Sequence, residues 1–372
     1  MRRPFWILAV PVLCLAVLSF APTAAHAQSN TISISPDVSL NLGGSIQTRA
    51  YYTHADINGL TTARLGFGVR RARLMYRINI GERWGLVFQN ELTGNAPSFI
   101  DLFLTYQVND RFSLRMGRMP DAQPRSFLLT PFIVTDSYDR PNVSRQWAAR
   151  TIAGDGRDFG ISAHFTTETS RLLLFLHNGS GDWDRNLGGA SYTEGSVDTG
   201  LAVSAYAEHR PSSLEGVEVG AFVGRNTNKG RRTSLNGNAG RNYTSYSAHI
   251  YYGALPGSQP FRVKVDLLGV EYNRINDSNP SESTLGLNVL GAALVQPWAE
   301  AFVQAEQLGR DFNNTDISTT YLTAGITLSP SAWESKDFNA QRFTLAYEYQ
   351  ADDGAPNDRT FHRVIAQLQL VF

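Results

Sequence analysis

The chain has 372 residues, 42% hydrophobic and 18% charged, with 33 basic and 33 acidic residues. That balance excludes a disordered chain and lacks the basic excess of a nucleic-acid binder. The length suits either two or three soluble domains or one large barrel.

The chain opens with Met1-Arg2-Arg3, an apolar run from Phe5 to Phe20, and the small-x-small signature Ala25-His26-Ala27. This order predicts a secretory signal peptide over residues 1–27, with the mature chain starting near Gln28. The apolar run is short for a spanning helix, which needs about 20 residues. Cys14 is the only cysteine and falls inside the leader. An exported chain without disulfides needs another source of stability, and a closed hydrogen-bonded barrel supplies one.

From Val38 onward, apolar and polar residues alternate in runs of about ten, the period-two pattern of barrel strands. Arg71, Arg73, Arg77 and Asn79 share one parity, against Ala72, Leu74, Tyr76 and Ile78. Ile100, Leu102 and Leu104 oppose Asp101 and Thr105, and Phe112, Leu114 and Met116 oppose Arg111, Ser113 and Arg115. Further on, Phe261, Val263 and Val265 alternate with Arg262, Lys264 and Asp266. The last run sets Leu368, Leu370 and Phe372 against Gln367 and Gln369. One face suits lipid and the other water. The runs predict an all-β transmembrane antiparallel β-barrel of about 16 strands over residues 28–372.

The connections alternate in length. Short turns are expected at Gly81 to Arg83, Asn109-Asp110, Thr167 to Ser170 and Gln296-Pro297. Longer loops are expected at Asp56 to Ala63, Asn178 to Asp198, Arg225 to Asn242, Asn273 to Ser281 and Gly309 to Asp316. Two connections on the short-turn side, His209 to Gly216 and Ser329 to Asn339, are long for their place. Trp84 and Trp298 follow short turns, where an aromatic girdle forms at a membrane interface.

The longest connection, 119–157, follows the fifth strand and is the third external loop. A loop this long is usually functional, and the expectation is that it folds into the lumen and constricts it. Arginines crowd this part of the chain, which has only three lysines. Arg71, Arg73, Arg77 and Arg115 fall on lumen parity. Arg118, Arg125, Arg140 and Arg145 fall on the loop and its rim. These eight are the candidate pore-lining, anion-binding residues, because fixed guanidinium forks in a narrow pore favour anions. Glu91, Asp101, Asp121, Asp136, Asp139, Asp155 and Asp158 share the stretch, so pairing that only holds the loop in place is the competing reading. No histidine spacing suggests a metal, no cofactor is implied, and no Ser-His-acid pattern announces an enzyme.

The stretch Phe67-Gly68-Val69-Arg70-Arg71-Ala72-Arg73-Leu74 resembles the phosphate-selective porin O/P family, which opens a strand with an Arg-Arg-Ala-Arg-type motif. The likeness continues through Trp84, Ile100-Asp101-Leu102, Leu114 to Arg118 and Ser137-Tyr138-Asp139-Arg140-Pro141, about the first third of the mature chain. The resemblance implies a sixteen-stranded porin, a homotrimer in outer-membrane lipid, passing anions such as phosphate. The scarcity of lysine departs from that family. The terminal Phe372 resembles the signal read by the barrel-assembly machinery of the bacterial outer membrane. A sugar- or nutrient-specific porin using Tyr51, Phe99, Phe103 and Phe132 is the alternative reading, and a barrel enzyme or an adhesin the remote one.

Overall fold

A computed structural model describes residues 31–94, 96–151, 155–181, 200–227, 242–273, 281–310, 317–353 and 359–372. The expected leader and most of the loops expected at 178–198, 225–242, 273–281 and 309–316 lie outside the described residues.

Seventeen strands follow in chain order. The first nine are β1 (Thr31–Ser35), β2 (Val38–Ile57), β3 (Leu60–Ile80), β4 (Trp84–Glu91), β5 (Ser98–Asn109), β6 (Phe112–Met119), β7 (Asp158–Thr166), β8 (Ser170–His177) and β9 (Ala202–His209). The rest are β10 (Val217–Asn226), β11 (Tyr243–Tyr252), β12 (Phe261–Tyr272), β13 (Glu282–Gln296), β14 (Ala299–Arg310), β15 (Ile317–Leu328), β16 (Gln341–Asp353) and β17 (Arg359–Val371). From β2 to β17 each strand pairs antiparallel with the next, and β17 returns to β2 from Arg359↔Ile57 to Val371↔Ser45. The ring therefore closes with 16 strands, so that no strand is left as the end of an open sheet, although β4 pairs with β3 only from Arg73 to Ile80. β1 stands outside it, paired with Val38–Asn41 of β2, which β17 does not reach.

The barrel is apolar outside and polar inside, the inverse of a soluble protein. On β12, Arg262, Lys264 and Asp266 are 1–3% exposed, while Phe261 is 56% and Val263 43% exposed. The short-turn rim carries aromatic pairs on neighbouring segments: Trp84 with Tyr106, Phe112 with Phe165, Tyr252 with Phe261, and Trp298 with Trp333, all with centroids 4.5–4.8 Å apart. Both tryptophans singled out by position belong to this ring.

One expected loop is corrected. Asp56 to Ala63 is strand, and β2 and β3 join through Asn58-Gly59 alone, with the ladder running to Ile57↔Leu60. Both residues have positive φ, 54° and 78°, which an Asn-Gly turn adopts at little cost. The two irregular turns are real: Pro211 to Gly216 is a compact connection, and the other carries a short helix, Pro330–Trp333.

The 119–157 connection follows the fifth ring strand and lies inside the lumen. It contains a 3₁₀ turn, Phe132–Val134, and helix α1, Asn142–Arg150.

Candidate functional site

The loop is tied to the inner wall almost all the way round. Arg125 donates to Glu218 of β10 at 2.7 Å. Asp136 accepts from Arg262 and Lys264 of β12 at 2.6 and 2.9 Å. Tyr138 donates to Glu348 of β16 at 2.5 Å, and Arg157 to Asp101 of β5 at 2.5 Å. Helix α1 is set by its two ends. Glu306 of β14 accepts the Val143 backbone N–H at 2.8 Å at the positive end, and Arg150 in the last turn pairs with Glu282 of β13 at 3.1 Å.

Apolar packing decides which side the loop takes. The inner wall from β8 to β14 carries Phe175, Tyr206, Phe222, Leu268, Val270, Tyr272 and Leu308 on lumen parity. Met119, Phe127, Val143 and Trp147 of the loop cover them, with Trp147 edge-on to Phe222 at 5.5 Å. The opposite side, toward β16, β17, β2 and β3, stays open. There a cavity of about 750 Å³ remains.

Arginine dominates this cavity. Its lining has eight, Arg49, Arg70, Arg71, Arg73, Arg140, Arg145, Arg157 and Arg363, against the carboxylates of Asp139, Asp155 and Glu348. A bulge concentrates them. Gln47 pairs with Arg71 but Thr48 pairs with Val69, so Arg70 is an extra residue in β3. The inserted residue lets the consecutive Arg70 and Arg71 both reach inward. Asp139 takes Arg49 and Arg70 at 3.0 Å and Arg71 at 3.1 Å. Burial alone would raise this carboxyl, yet Arg71, Arg49 and Arg70 outweigh it and hold it well below the usual carboxylate range. Asp136 is likewise opposed by burial and lowered by Lys264 and Arg262, to about 2.

Of the eight expected arginines, Arg71, Arg73, Arg140 and Arg145 line the cavity. Arg73 pairs with Glu91 at 2.7 Å and lies over the Phe132 ring. Arg140 donates to the Phe127 and Thr130 carbonyls, and Arg145 to Asn142. Neither guanidinium forms an ion pair among the described residues, although the Arg140 backbone N–H donates to Asp139 at 3.0 Å. Arg77 and Arg115 stand lower on the inner wall, also without a carboxylate partner among the described residues, and Arg115 covers the Phe103 ring at 5.5 Å. The remaining two are corrected. Arg118 is buried at the rim against Asp155 and the Ile100 carbonyl. Arg125 is 6% exposed behind the loop, bound to Glu218. Both are anchors outside the cavity lining.

The eight expected arginines do not include Arg49, Arg70, Arg157 and Arg363, which also line the cavity. Alternation along β2 and β17 could have flagged the first and last, whereas Arg70 has the wrong parity until the bulge is known. Of the four aromatics, Phe99 is corrected, since it packs near Phe88 on the outer face, 55% exposed. Phe103 and Phe132 lie under arginines, and only Tyr51 lines the cavity.

Two further clusters are structural. Asp158, His177 and Ser204 form a hydrogen-bonded chain, 2.6 Å at Nδ1 and 2.9 Å at Nε2. Its members are at most 7% exposed and the cavity does not reach them, so the chain has the order of a hydrolase triad without room for a substrate. Glu208, Glu218 and His249 could ligate a metal by distance. Arg125, Arg171 and Arg210 already neutralise both carboxylates and would repel a cation.

No family model matches the chain, and no curated protein matches it. Solved structures do. The outer membrane channel DcaP of Acinetobacter baumannii superposes with a TM-score of 0.62 at 13% identity, over 92% of this chain and 99% of that one. OmpT of Vibrio cholerae gives 0.61 at 11% identity, over 92% and 100%. Salmonella typhi OmpF, in complex with daunomycin, gives 0.60 at 12%, over 91% and 99%. At such identity the likeness is one of fold. It extends to nearly the whole of each chain, so the overall fold is common to them.

Proposed function

We propose that the chain is a passive diffusion channel for small hydrophilic solutes in the bacterial outer membrane, with a preference for anions. The fold shared with an outer membrane channel and other outer-membrane barrels supports the first part. So do the apolar exterior and the paired aromatics at one rim, which fit a bilayer and its interface. The observation that carries the anion preference is the cavity beside the loop, where eight arginines face three carboxylates. Competing pairings neutralise only part of this. Asp139 is a single charge paired with three guanidiniums and near two more, Arg140 and Arg145, which form no ion pair of their own among the described residues. Low-dielectric walls focus such a field, which draws anions in and excludes cations.

Phosphate and small carboxylates both match the planar guanidinium fork. A neutral sugar would rely on exposed aromatic rings, and of the aromatics lining the cavity Phe127, Tyr138 and Tyr321 are buried while Tyr51 alone is exposed. Liposome swelling tests the reading. Proteoliposomes should admit small organic anions several times faster than neutral sugars of equal size. Equal rates would remove the anion preference, and no swelling would remove the channel.

A further inference from the structure

The cavity wall has a bare patch above the β3 bulge. Arg49, Tyr51 and Thr53 of β2 line the cavity, so their partners across the ladder, Gly68, Gly66 and Arg64, face the lumen as well. Two successive inward positions of β3 therefore carry no side chain. Glycine inside a strand weakens it and marks a place where another group comes close. At Gly66 that group is the Tyr51 ring: a Cβ on Gly66 would stand 2.7 Å from Tyr51 Cζ and Oη. Tyr51 thus lies across the glycine backbone. It is 43% exposed, so its other face opens to the cavity. At Gly68 a Cβ would meet nothing within 4 Å. The two glycines and the ring form a shallow slot with a backbone floor and an aromatic wall.

Positive charge stands at the lower end of the slot. Arg49 lies directly across from Gly68, but its Nε and Nη2 turn aside to Gln367 and Asp139. Arg70 is two residues along β3 from Gly68. It gives Nε and Nη2 to Asp139, and its side chain is 36% exposed. Its Nη1 makes no hydrogen bond among the described residues. A guanidinium in this state still has donors for a second carboxylate.

These features select by shape as well as charge. A small round anion uses the arginines and gains nothing from a bare floor and an aromatic wall. A neutral sugar uses the ring and leaves the guanidiniums to water. A flat ring bearing a carboxylate uses both, by stacking on an aromatic face while its charge meets the fork. We infer that the Gly66–Gly68 slot beside Tyr51 is a subsite for planar aromatic carboxylates of benzoate size, with the ring on Tyr51 and the carboxylate on Arg70. The inference rests on the anion reading of the cavity and adds a discrimination that charge alone does not produce.

The test uses the full chain in a planar bilayer. Chloride current is recorded while potassium benzoate or potassium cyclohexanecarboxylate is added. The two anions have the same charge and nearly the same size, and only the first is flat and aromatic. Benzoate should half-block the current at a concentration roughly two- to tenfold lower, the range that one aromatic pair supplies. Tyr51→Leu, which keeps bulk without the ring, should bring the ratio of the two half-block concentrations to about one. Gly68→Val should do the same by filling the slot, since its side chain has room and a β-branched residue suits a strand. Equal block of the wild type by the two anions would overturn the inference and leave the anion preference standing. So would a ratio that survives in Tyr51→Leu or in Gly68→Val. Block by neither anion, in a channel that passes potassium more readily than chloride, would overturn both.

Discussion

Arg71 donates to Asp139 across 3.1 Å, joining the bulged strand β3 to the loop that fills the barrel. Both side chains are nearly buried, and Arg49 and Arg70 converge on the same carboxylate. Removing one partner of such a buried pair leaves the other charge uncompensated.

The pH dependence of this contact follows from its sign. A carboxyl held below its usual value contributes stability that is fully present above about pH 4 and is lost only as pH falls through the lowered value. Asp139 is held well below its ordinary range and Asp136 at about 2. The difference in thermal stability between wild type and Asp139→Asn should therefore be constant from pH 8 to about 5. A difference that fades between pH 7 and 5 would show that this carboxylate is not held by its arginines.

Trp147 seats the loop against Phe222 and Phe127 and is 4% exposed. Trp147→Ala removes a large buried ring, which costs about 3–5 kcal/mol. Since the barrel wall is hydrogen-bonded independently, the loss should fall on the loop. Single-channel recording should show a larger or noisier unit conductance while the barrel keeps its mobility on semi-native gels. An unchanged trace would mean the apolar sector does not hold the loop.

The wall itself was the legible part of the sequence. Arg262, Lys264 and Asp266 alternate with Phe261, Val263 and Val265 because one face meets lipid and the other water, and a period of two needs no tertiary information. The failures have local causes. Asn58-Gly59 makes the tightest of turns, yet the polar residues around it read as a longer loop. Arg118 and Arg125 look like pore arginines by position, but partners distant in sequence, Asp155 and Glu218, take them out of the lining. The inward Leu268, Val270 and Tyr272 were a signal left unused, since apolar residues on lumen parity require something inside the barrel to cover them.

The bulge at Arg70 gives a prediction that substitution alone would not. Deleting Arg70 removes the extra residue, so Val69 and Arg71 resume simple alternation and the strand keeps its faces. The deletion should fold with near wild-type heat resistance and lose part of its anion preference, about as much as Arg70→Ala. A deletion that fails to assemble while Arg70→Ala is normal would show that the bulge sets register and not the site.

Arg140 and Arg145 line the cavity without an ion pair of their own among the described residues. Arg145→Ala should lower anion-over-cation permeability severalfold with little change in unfolding temperature, because Arg145 is exposed and makes no ion pair, whereas Arg140→Ala should also loosen the loop, because its buried guanidinium holds the Phe127 and Thr130 carbonyls. A collapse of stability in Arg145→Ala would assign that residue a structural role.

Anion preference requires a positive field in the open lumen. The most direct measurement is the reversal potential of the wild-type channel in a planar bilayer under a potassium chloride gradient. The expected sign is that of chloride passing more readily than potassium, shifting toward zero as salt screens the arginines. A potential of the opposite sign would contradict the account, and so would one near zero at low salt.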